Sequence, residues 1–453
     1  MAIDAGTTNA LRNDVRGVVI TPDDPAYNEA RRTFNGMIDR RPAIIVRPAG
    51  VSDVVKAVDF ARQNGLPIAV RGGGHNVAGH ATCDDGLVID FRLMKGVRVD
   101  PGGRTVRAEA GCSWIEFDPE CQAHGLATTG GTVGSTGIAG LTLGGGIGHL
   151  MGSYGLTCDN LVSVDLVTVD RRLVVASESE NAELFWGLRG GGGNFGIVTS
   201  FEFRLHPVGV LYGGYAFYPW GSAHAALELY REMTASAPDE LGLSFVLLTS
   251  PDTGEKLAMI SACYNGDAAK GEAAVAPMRT LEPVHIDLGP KSYAQIQAIF
   301  AEIPFGLRHY WKGTFLPAME DAAIDATIDR FDAVPSPLSV VLIEAPHGAA
   351  SRVADDAMAY GQREARYNLS AFSIWRDESD DERQIDWARS YASDLQPLAG
   401  PSGAYVNYLG HDEPTDRLRA AFGPAKYERL LALKRAYDPD NVLRFNQNVR
   451  PDA

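Results

Sequence analysis

Glycine is concentrated in residues 71–160, and this concentration limits the folds that the chain can adopt. The stretch opens with RGGGHN, continues through TTGGTVGSTGIAGLTLGGGIGHL, and closes with GLTCDN. Glycine is used where the backbone must take a positive φ or lie close against another group. Three such loops within 90 residues predict a backbone wall shaped around one extended ligand.

The loops favour a nucleotide cofactor. Exposed N–H groups in glycine-rich loops bind anions, most often phosphate. We therefore expect a pyrophosphate on Gly72–Asn76. No GxxxxGK[ST] motif is present, which excludes a P-loop. The GGGIG at Gly144–Gly148 superficially resembles a Rossmann fingerprint, but no clear buried strand precedes it and no acidic residue follows in the βαβ context that this fold requires.

Two reactive residues lie within these loops. His75 directly follows Gly72–Gly74, and Cys158 lies in GLTCDN. Taken singly, each has a structural explanation: a loop imidazole bonded to backbone, and a buried thiol that packs as a small apolar group. Their placement inside two candidate cofactor loops favours a covalent role instead.

The RGGGH and GLTCDN motifs resemble the flavin-binding region of the berberine bridge enzyme-like oxidases, within the vanillyl-alcohol oxidase (PCMH-type) superfamily. The resemblance implies FAD bonded through its 8α-methyl group to His75 and through ring carbon 6 to Cys158. Bacterial hydroxynicotine oxidases resemble the same region but keep only the histidine link. The cysteine in CDN therefore favours the doubly attached class.

The resemblance implies further contacts between FAD and the glycine-rich loops and tail. The residues expected to bind the cofactor besides His75 and Cys158 are Arg71, Gly72, Gly73, Gly74, Asn76, Thr132, Val133, Gly134, Thr136, Gly137, Gly140, Gly144, Gly145, Gly148, Asp159, Asn160, Gly196, Val198, Asn446 and Asn448.

Charge and cysteine content exclude several classes of partner. The net charge is −16 with a sequence pI near 5.1, so nucleic acid and anionic membrane surfaces are poor partners. No apolar run is long enough to span a bilayer. The N-terminus has no secretory signal pattern and the five cysteines form no disulfide framework, so we expect a cytoplasmic protein. No spacing typical of a metal site is present.

An α+β fold with a PCMH-type FAD-binding domain is expected. Residues 1–205, with a core from about 38, form that domain, and a strand at Pro67–Val70 delivers His75 to a strand end. Residues 206–400 alternate longer strands with amphipathic helices and predict a substrate domain, an antiparallel sheet covered by helices. Residues 401–453 are expected to pack back on the FAD domain.

Local patterns predict the ends of individual elements. Ser52 is expected to cap a helix of residues 53–64, and Ser113 a helix through His124 that turns Ile115 inward. In the second domain, Ser379 is expected to cap a helix at Asp380–Leu395.

Two tyrosines are candidates for the catalytic base. Tyr405 and Tyr408 lie in YVNY, which resembles the Y-x-N-Y motif whose second tyrosine serves this way in several relatives. An alternating strand would place them on opposite faces. Some relatives use a carboxylate from the substrate sheet, but Leu369–Trp375 contains none, which favours tyrosine. Lys312 is expected at the domain seam, with substrate contact as the alternative.

The predicted function is an FAD-dependent oxidase. It removes hydride from a CH–OH or CH–N centre of a bulky small molecule, either a secondary metabolite or an oligosaccharide, with molecular oxygen as acceptor and hydrogen peroxide as product. A flavin dehydrogenase with another acceptor and a non-catalytic flavin-carrying protein are the alternatives. The sequence does not indicate an oligomeric state.

Overall fold

The chain is seen in a computed structural model that describes residues 3–300, 304–399 and 403–452, without the side chain of Thr415. The strands, in chain order, are β1 (Val18–Ile20), β2 (Ile44–Arg47), β3 (Ile68–Arg71), β4 (Leu87–Asp90), β5 (Val97–Asp100), β6 (Thr105–Glu109), β7 (Leu126–Ala127), β8 (Leu161–Val167), β9 (Leu173–Ser177), β10 (Ile197–Arg204), β11 (His206–Pro207), β12 (Leu211–Pro219), β13 (Leu241–Thr249), β14 (Lys256–Tyr264), β15 (His285–Lys291), β16 (Arg308–Leu316), β17 (Val340–Glu344) and β18 (Tyr367–Trp375).

Helices connect and cover these strands. In chain order they are α1 (Ala5–Asp14), α2 (Tyr27–Ala30), α3 (Val51–Gln63), α4 (Trp114–Gln122), α5 (Ile138–Leu143), α6 (Met151–Tyr154), α7 (Ala182–Leu188), α8 (Ala223–Ala235), α9 (Ala268–Val275), α10 (Tyr293–Gln297), α11 (Asp321–Asp332), α12 (Ala349–Arg352), α13 (Asp381–Leu395), α14 (Thr415–Phe422) and α15 (Pro424–Tyr437).

The first half of the chain forms two sheets around the glycine-rich loops. One pairs in the order β1-β2-β4-β3, with β3 and β4 parallel, and the other in the order β5-β6-β10-β8-β9. Strand β3 ends at Arg71, so the loop that carries His75 leaves a sheet edge as the sequence predicts. The observed architecture is the expected α+β fold.

A long antiparallel sheet dominates the second half, in the order β15-β12-β14-β13-β17-β18-β16. Apolar side chains of one face pack against helices α8, α11 and α13 and form a separate core that includes Phe245, Ile260, Ile343 and Leu369. The other face looks toward the glycine-rich loops.

Two element boundaries differ from the sequence-based expectation. Helix α3 begins at Val51 after Gly50, so Ser52 lies within the first turn and is not the cap. Ser113 does cap α4 through a capping box with Glu116, but Ile115 points outward with 62% of its surface exposed. Helix α13 begins at Asp381 after Asp380, one residue beyond the expected cap.

Side-chain contacts join the two halves of the chain. Gln297 of α10 donates from Nε2 to Oδ2 of Asp118 in α4, at 2.9 Å, and both side chains are buried. Burial without a cation raises the pKa of Asp118 to about 7.

The tail packs on the first half of the chain. The backbone N–H of Ile68 donates to the carbonyl of Val442 at 3.2 Å. In α15 the fully buried Lys434 contacts Asp438 at 2.6 Å and also donates to the carbonyls of Asn194 and Leu443. A buried ammonium is stable only with such partners, so Lys434 fixes the tail beside a further glycine-rich loop, GGGGNFG at residues 190–196.

No helix in the described part of the chain combines the length and apolarity needed to cross a membrane. Within the same residues, no group of histidine, cysteine or carboxylate side chains is arranged to hold a metal ion.

Candidate active site

A cavity of about 310 Å³ lies between the glycine-rich loops and the open face of the long sheet. Its first wall is largely backbone from residues 72–76, 132–144 and 190–198. The sheet and the tail provide the facing side chains: Trp311, Leu342, Phe372, Tyr405, Tyr408, Leu443, Phe445 and Asn446. The cavity therefore draws on all three segments that the sequence singles out.

Close backbone packing explains the glycines of the first wall. A Cβ at Gly73 would lie only 2.4 Å from the backbone nitrogen of Gly137, so the two loops touch without room for side chains. Gly74 has a φ of 75°, a backbone conformation that residues with a Cβ rarely adopt. A Cβ at Gly140 would meet no atom within 4 Å, and Gly140 borders the cavity. A side chain there would fill space that the fold leaves for a ligand.

The chemistry of the lining fits a flavin dinucleotide. None of the described residues that line the cavity is Asp, Glu, Lys or Arg, so backbone and neutral polar groups would hold a diphosphate. Oδ1 of Asn446 and Nε1 of Trp311 are buried and have no hydrogen-bond partner among the described residues. They offer one acceptor and one donor to a bound molecule.

Aromatic stacking orients His75 in the cavity wall. Its imidazole stacks on Phe34 with ring centroids 4.6 Å apart and an angle of 18° between the planes. The other face of Phe34 packs on His309 at 4.3 Å and 26°, while Phe305 meets His75 edge-on at 5.4 Å. This column holds the imidazole plane in a defined direction.

Tyr405 and Tyr408 lie together, whereas the sequence-based expectation placed them on opposite faces of a strand. Val406–Tyr408 forms a 3₁₀ turn, which brings the two rings to 4.8 Å and nearly perpendicular. The Tyr405 oxygen accepts hydrogen bonds from the backbone N–H of Gly146 at 2.9 Å and from Nδ2 of Asn407 at 2.9 Å. Burial nevertheless raises the pKa of Tyr405 above its ordinary value. Its contacts position the GGGIG loop.

Tyr408 faces a carboxylate that the sequence analysis missed. Its hydroxyl lies 3.4 Å from Oε2 of Glu344, which also accepts from Nδ2 of Asn368 at 2.8 Å. Burial raises the pKa of Glu344 to about 7, and burial together with Glu344 raises the pKa of Tyr408 well above its usual value. The sequence feature that could have revealed Glu344 is an acid at the end of the apolar segment VVLIE. This segment forms β17, which pairs with the strand that contains Leu369–Trp375.

Comparison with known proteins identifies the family. The FAD binding domain profile matches residues 42–177, and the profile for berberine and berberine-like proteins matches residues 404–450. An FAD-linked oxidoreductase of Dictyostelium discoideum is 31% identical over 448 residues, covering 98% of this chain and 96% of the relative. The chain belongs to the berberine bridge enzyme-like family of FAD-linked oxidoreductases. It is an FAD-dependent enzyme, as the motifs predict.

Two further similarities support this assignment. The chain is 30% identical to the (R)-6-hydroxynicotine oxidase of Paenarthrobacter nicotinovorans, over 97% of this chain and 98% of that protein. The crystal structure of 6-hydroxy-D-nicotine oxidase from Arthrobacter nicotinovorans superposes with a TM-score of 0.87 at 28% identity, and the match covers 96% of this chain and 98% of that one.

Many of the residues expected to bind flavin line the cavity of this oxidoreductase. They are His75, Gly72, Gly73, Gly74, Asn76, Thr132, Val133, Thr136, Gly137, Gly140, Gly144, Gly196, Val198 and Asn446, together with Tyr405 and Tyr408. Others lie outside the lining, namely Arg71, Gly134, Gly145, Gly148, Cys158, Asp159, Asn160 and Asn448.

Cys158 does not border the cavity in this structure. Its fully buried thiol lies 3.5 Å from the sulfur of Met358 and 3.7 Å from Oδ1 of Asp159, outside the cavity that His75 lines. Burial and the neighbouring carboxylate raise the pKa of Cys158 above its ordinary value, which disfavours the thiolate needed to attack a ring. His75 therefore borders the cavity in this structure and Cys158 does not.

Asp159 and Asn160 support the fold next to Cys158 and do not border the cavity. Asp159 forms a buried bidentate pair with Arg363 at 2.6 and 2.9 Å, and it accepts from the backbone N–H of Leu156. Asn160 donates to the carbonyl of Leu156 and bonds to Nε2 of His206 at 2.7 Å. Both residues stabilise the 3₁₀ turn Thr157–Asn160 that carries Cys158.

Arg71 is likewise structural. Its buried guanidinium donates to the carbonyls of Ala30, Arg31 and Ala81 and lies 3.9 Å from Asp90. Burial lowers the pKa of Arg71 to about 10. These contacts tie the start of the RGGGH loop to the segment of Ala30 and Arg31.

Gly134, Gly145, Gly148 and Asn448 also lie outside the cavity lining. A Cβ at Gly148 would lie 1.9 Å from the carbonyl oxygen of Gly130, and one at Gly145 would lie 2.6 Å from the ring of Tyr360. Gly134 accepts the backbone N–H of Ile115 at 2.8 Å. These glycines pack the loops on one another, and Oδ1 of Asn448 is buried without a hydrogen-bond partner among the described residues.

Lys312 lies at the domain seam, the first of its two expected positions. Its ammonium contacts Glu413 at 2.5 Å and Asp412 at 3.4 Å, and Asp412 also accepts from Tyr310 and Arg389. This network joins β16 to the segment after YVNY, which holds Tyr408 against the sheet.

Proposed function

We propose that this oxidoreductase is an oxidase that removes hydride from a CH–OH or CH–N centre of a bulky small molecule and passes the electrons to molecular oxygen, releasing hydrogen peroxide. The observation that carries the proposal is the Tyr408–Glu344 pair at the edge of a cavity built for FAD. A non-catalytic flavin carrier has no use for a buried acid with a pKa near 7 in contact with the tyrosine that lines that cavity.

Under this proposal His75 is the single covalent link to FAD. His75 lines the cavity and its ring stacks on Phe34, whereas the Cys158 thiol lies against Met358 outside the lining. Residues 1–205 hold the cofactor, 206–400 hold the substrate, and 401–453 close the site, in line with the separate cores of the two halves.

The chain's own residues manage the proton. When bound, the flavin would supply the hydride acceptor. The substrate O–H or N–H donates to the Tyr408 oxygen while the phenolic proton passes to Oε2 of Glu344. Because the pKa of Tyr408 is raised, a free phenolate is disfavoured and the two transfers occur together. Asn368 holds the carboxylate in place.

A two-stage flavin experiment tests the proposal. The purified holoprotein is mixed anaerobically with a panel of alcohols and amines, and loss of the oxidised flavin spectrum is followed. Air is then admitted and peroxide is measured. We expect flavin reduction by at least one compound, fast reoxidation, and one peroxide per turnover. Reduction followed by reoxidation only with an added quinone would identify a dehydrogenase and overturn the oxidase assignment.

Localisation and partners complete the proposal. The five cysteines are free and buried in the structure, which is compatible with a reducing compartment. We therefore propose a cytoplasmic enzyme whose partners are a small-molecule substrate and molecular oxygen.

A further inference from the structure

The strand register arranges the cavity-facing side of the long sheet in transverse rows, because directly paired residues project to the same face. One row joins Ser261, Ser244, Glu344 and Asn368. The next joins Met259, Val246, Leu342 and Ser370. Beyond it, Leu248 pairs with Leu257, and Phe372 pairs with both Val340 and Trp311. Polar groups are thus confined mainly to the row that contains Glu344.

Aromatic side chains enclose the part of this face that borders the cavity. Trp311 and Phe372 stack at 4.2 Å and 22°. Tyr408 stands edge-on to both, at 5.7 Å from Trp311 and 5.1 Å from Phe372. Leu342 completes the wall. A molecule in contact with this wall meets carbon atoms almost everywhere.

The polar contacts available at this wall are few. Nε1 of Trp311 is buried without a partner among the described residues, so it can donate to one oxygen or nitrogen. The hydroxyl of Tyr408 is the other polar atom, and Glu344 lies behind it. No described Asp, Glu, Lys or Arg side chain lines the cavity to pair with a charged substrate.

We propose that the substrate is a flat, uncharged, largely apolar aromatic molecule with the reacting hydroxyl or nitrogen at Tyr408 and one acceptor atom at the Trp311 indole. The inference rests on the proposed function and selects among its substrate classes. An oligosaccharide would bury several hydroxyl groups against Leu342 and Phe372 without partners, at roughly 1–3 kcal/mol each. A carboxylate would be buried without a cation.

A matched substrate series tests this class on the holoprotein. Naphthalene methanol, its carboxylate-bearing analogue, xylobiose and chitobiose are compared by anaerobic flavin reduction at equal concentrations. We expect the neutral aromatic alcohol to reduce the flavin at least about 100-fold faster than the other three, since each of them leaves polar groups unpaired.

The possible results separate this inference from the proposed function. Faster reduction by a disaccharide or by the carboxylate would overturn the aromatic class and leave the oxidase intact. If none of the four compounds reduces the flavin while dithionite does, the aromatic class is overturned. Anaerobic flavin reduction by the panel of alcohols and amines, followed by peroxide measurement in air, then decides the oxidase assignment separately.

A pair of leucine variants localises the effect. Leu342→Asn places an amide in the cavity wall and should raise KM for the aromatic alcohol about tenfold with little change in kcat. Leu248→Asn makes the same change on the same sheet face outside the cavity lining and should leave KM as it is. Equal effects of the two variants, at equal flavin content, would contradict the proposed wall.

Discussion

The hydroxyl of Tyr408 lies 3.4 Å from Oε2 of Glu344, and that oxygen also accepts a hydrogen bond from Asn368. The pair joins a turn near the end of the sequence to the strand β17. The raised pKa of Tyr408 keeps its phenol protonated, so Tyr408 cannot accept a proton without giving up its own. Glu344 does not line the cavity, so it cannot take a proton from the substrate directly. Together they form a path from the cavity to a buried acceptor.

Glu344→Gln should remove the pH dependence of turnover. Because burial raises the pKa of Glu344 to about 7, the accepting carboxylate is populated above that pH, and wild-type kcat should rise through neutral pH and then level. The variant should lose about 100-fold in kcat and show no such rise. Glu344→Asp keeps a carboxylate and is the control, so it should keep the rise of kcat with pH. A Gln variant with the wild-type pH profile would exclude Glu344 as acceptor.

His75→Ala should release all flavin on acid precipitation, whereas Cys158→Ala should keep it bound to the protein. The reason is position: the imidazole lines the cavity and the thiol contacts Met358 outside it. Flavin fluorescence of the denatured protein on a gel measures the link. Flavin that stays bound to denatured His75→Ala would restore the doubly attached arrangement that the CDN motif suggested, because Cys158 would then hold it.

Phe34→Ala should slow covalent attachment without preventing FAD binding. The stacked contact on His75 is worth about 0.5–1.5 kcal/mol, so a freely turning imidazole should react up to about tenfold more slowly. The time course of the covalent fraction after adding FAD to apoprotein measures this. Phe34→Tyr keeps the stack and serves as control, and an unchanged rate in Phe34→Ala would show that the column is only structural.

Asp118→Asn should make stability less sensitive to pH. The folded pKa of Asp118 is raised to about 7, above its unfolded value, so its contribution is complete in acid and is lost as pH rises through about 7. Urea unfolding between acidic and neutral pH should show the wild type losing a few kcal/mol relative to the variant. The exposed Asp252→Asn is the control. A constant difference between wild type and Asp118→Asn would contradict the assignment.

Local features explain what the sequence predicts well. The loop after β3 is recognisable because RGGGH needs positive φ at Gly74 and close packing at Gly73, both of which depend on nearby residues. The Cys158 motif is equally recognisable, but its direction depends on the packing of Arg363 and Met358, which are about 200 residues away. A motif therefore identifies the loop and leaves the side chain's direction open.

Non-local pairing explains what the sequence does not predict. Glu344 reaches the site because β17 pairs with β18 in a register that sets Glu344 beside Asn368. Inspection of Leu369–Trp375 alone finds no acid, and only the cross-strand neighbour supplies it. Likewise, YVNY alternates like a strand, but the Tyr408 N–H bonds to the Tyr405 carbonyl in a tight turn, and this turn brings both rings to one side.

The bond from Ile68 to Val442 and the clamp of Tyr405 on Gly146 have a consequence for biogenesis. Residues 404–450 are translated long after the glycine loops that they enclose. While the chain is still on the ribosome, the tail residues that complete the cavity around the His75 imidazole are missing. We therefore expect FAD to be held firmly only after residues 404–450 have packed on the glycine loops and completed the cavity.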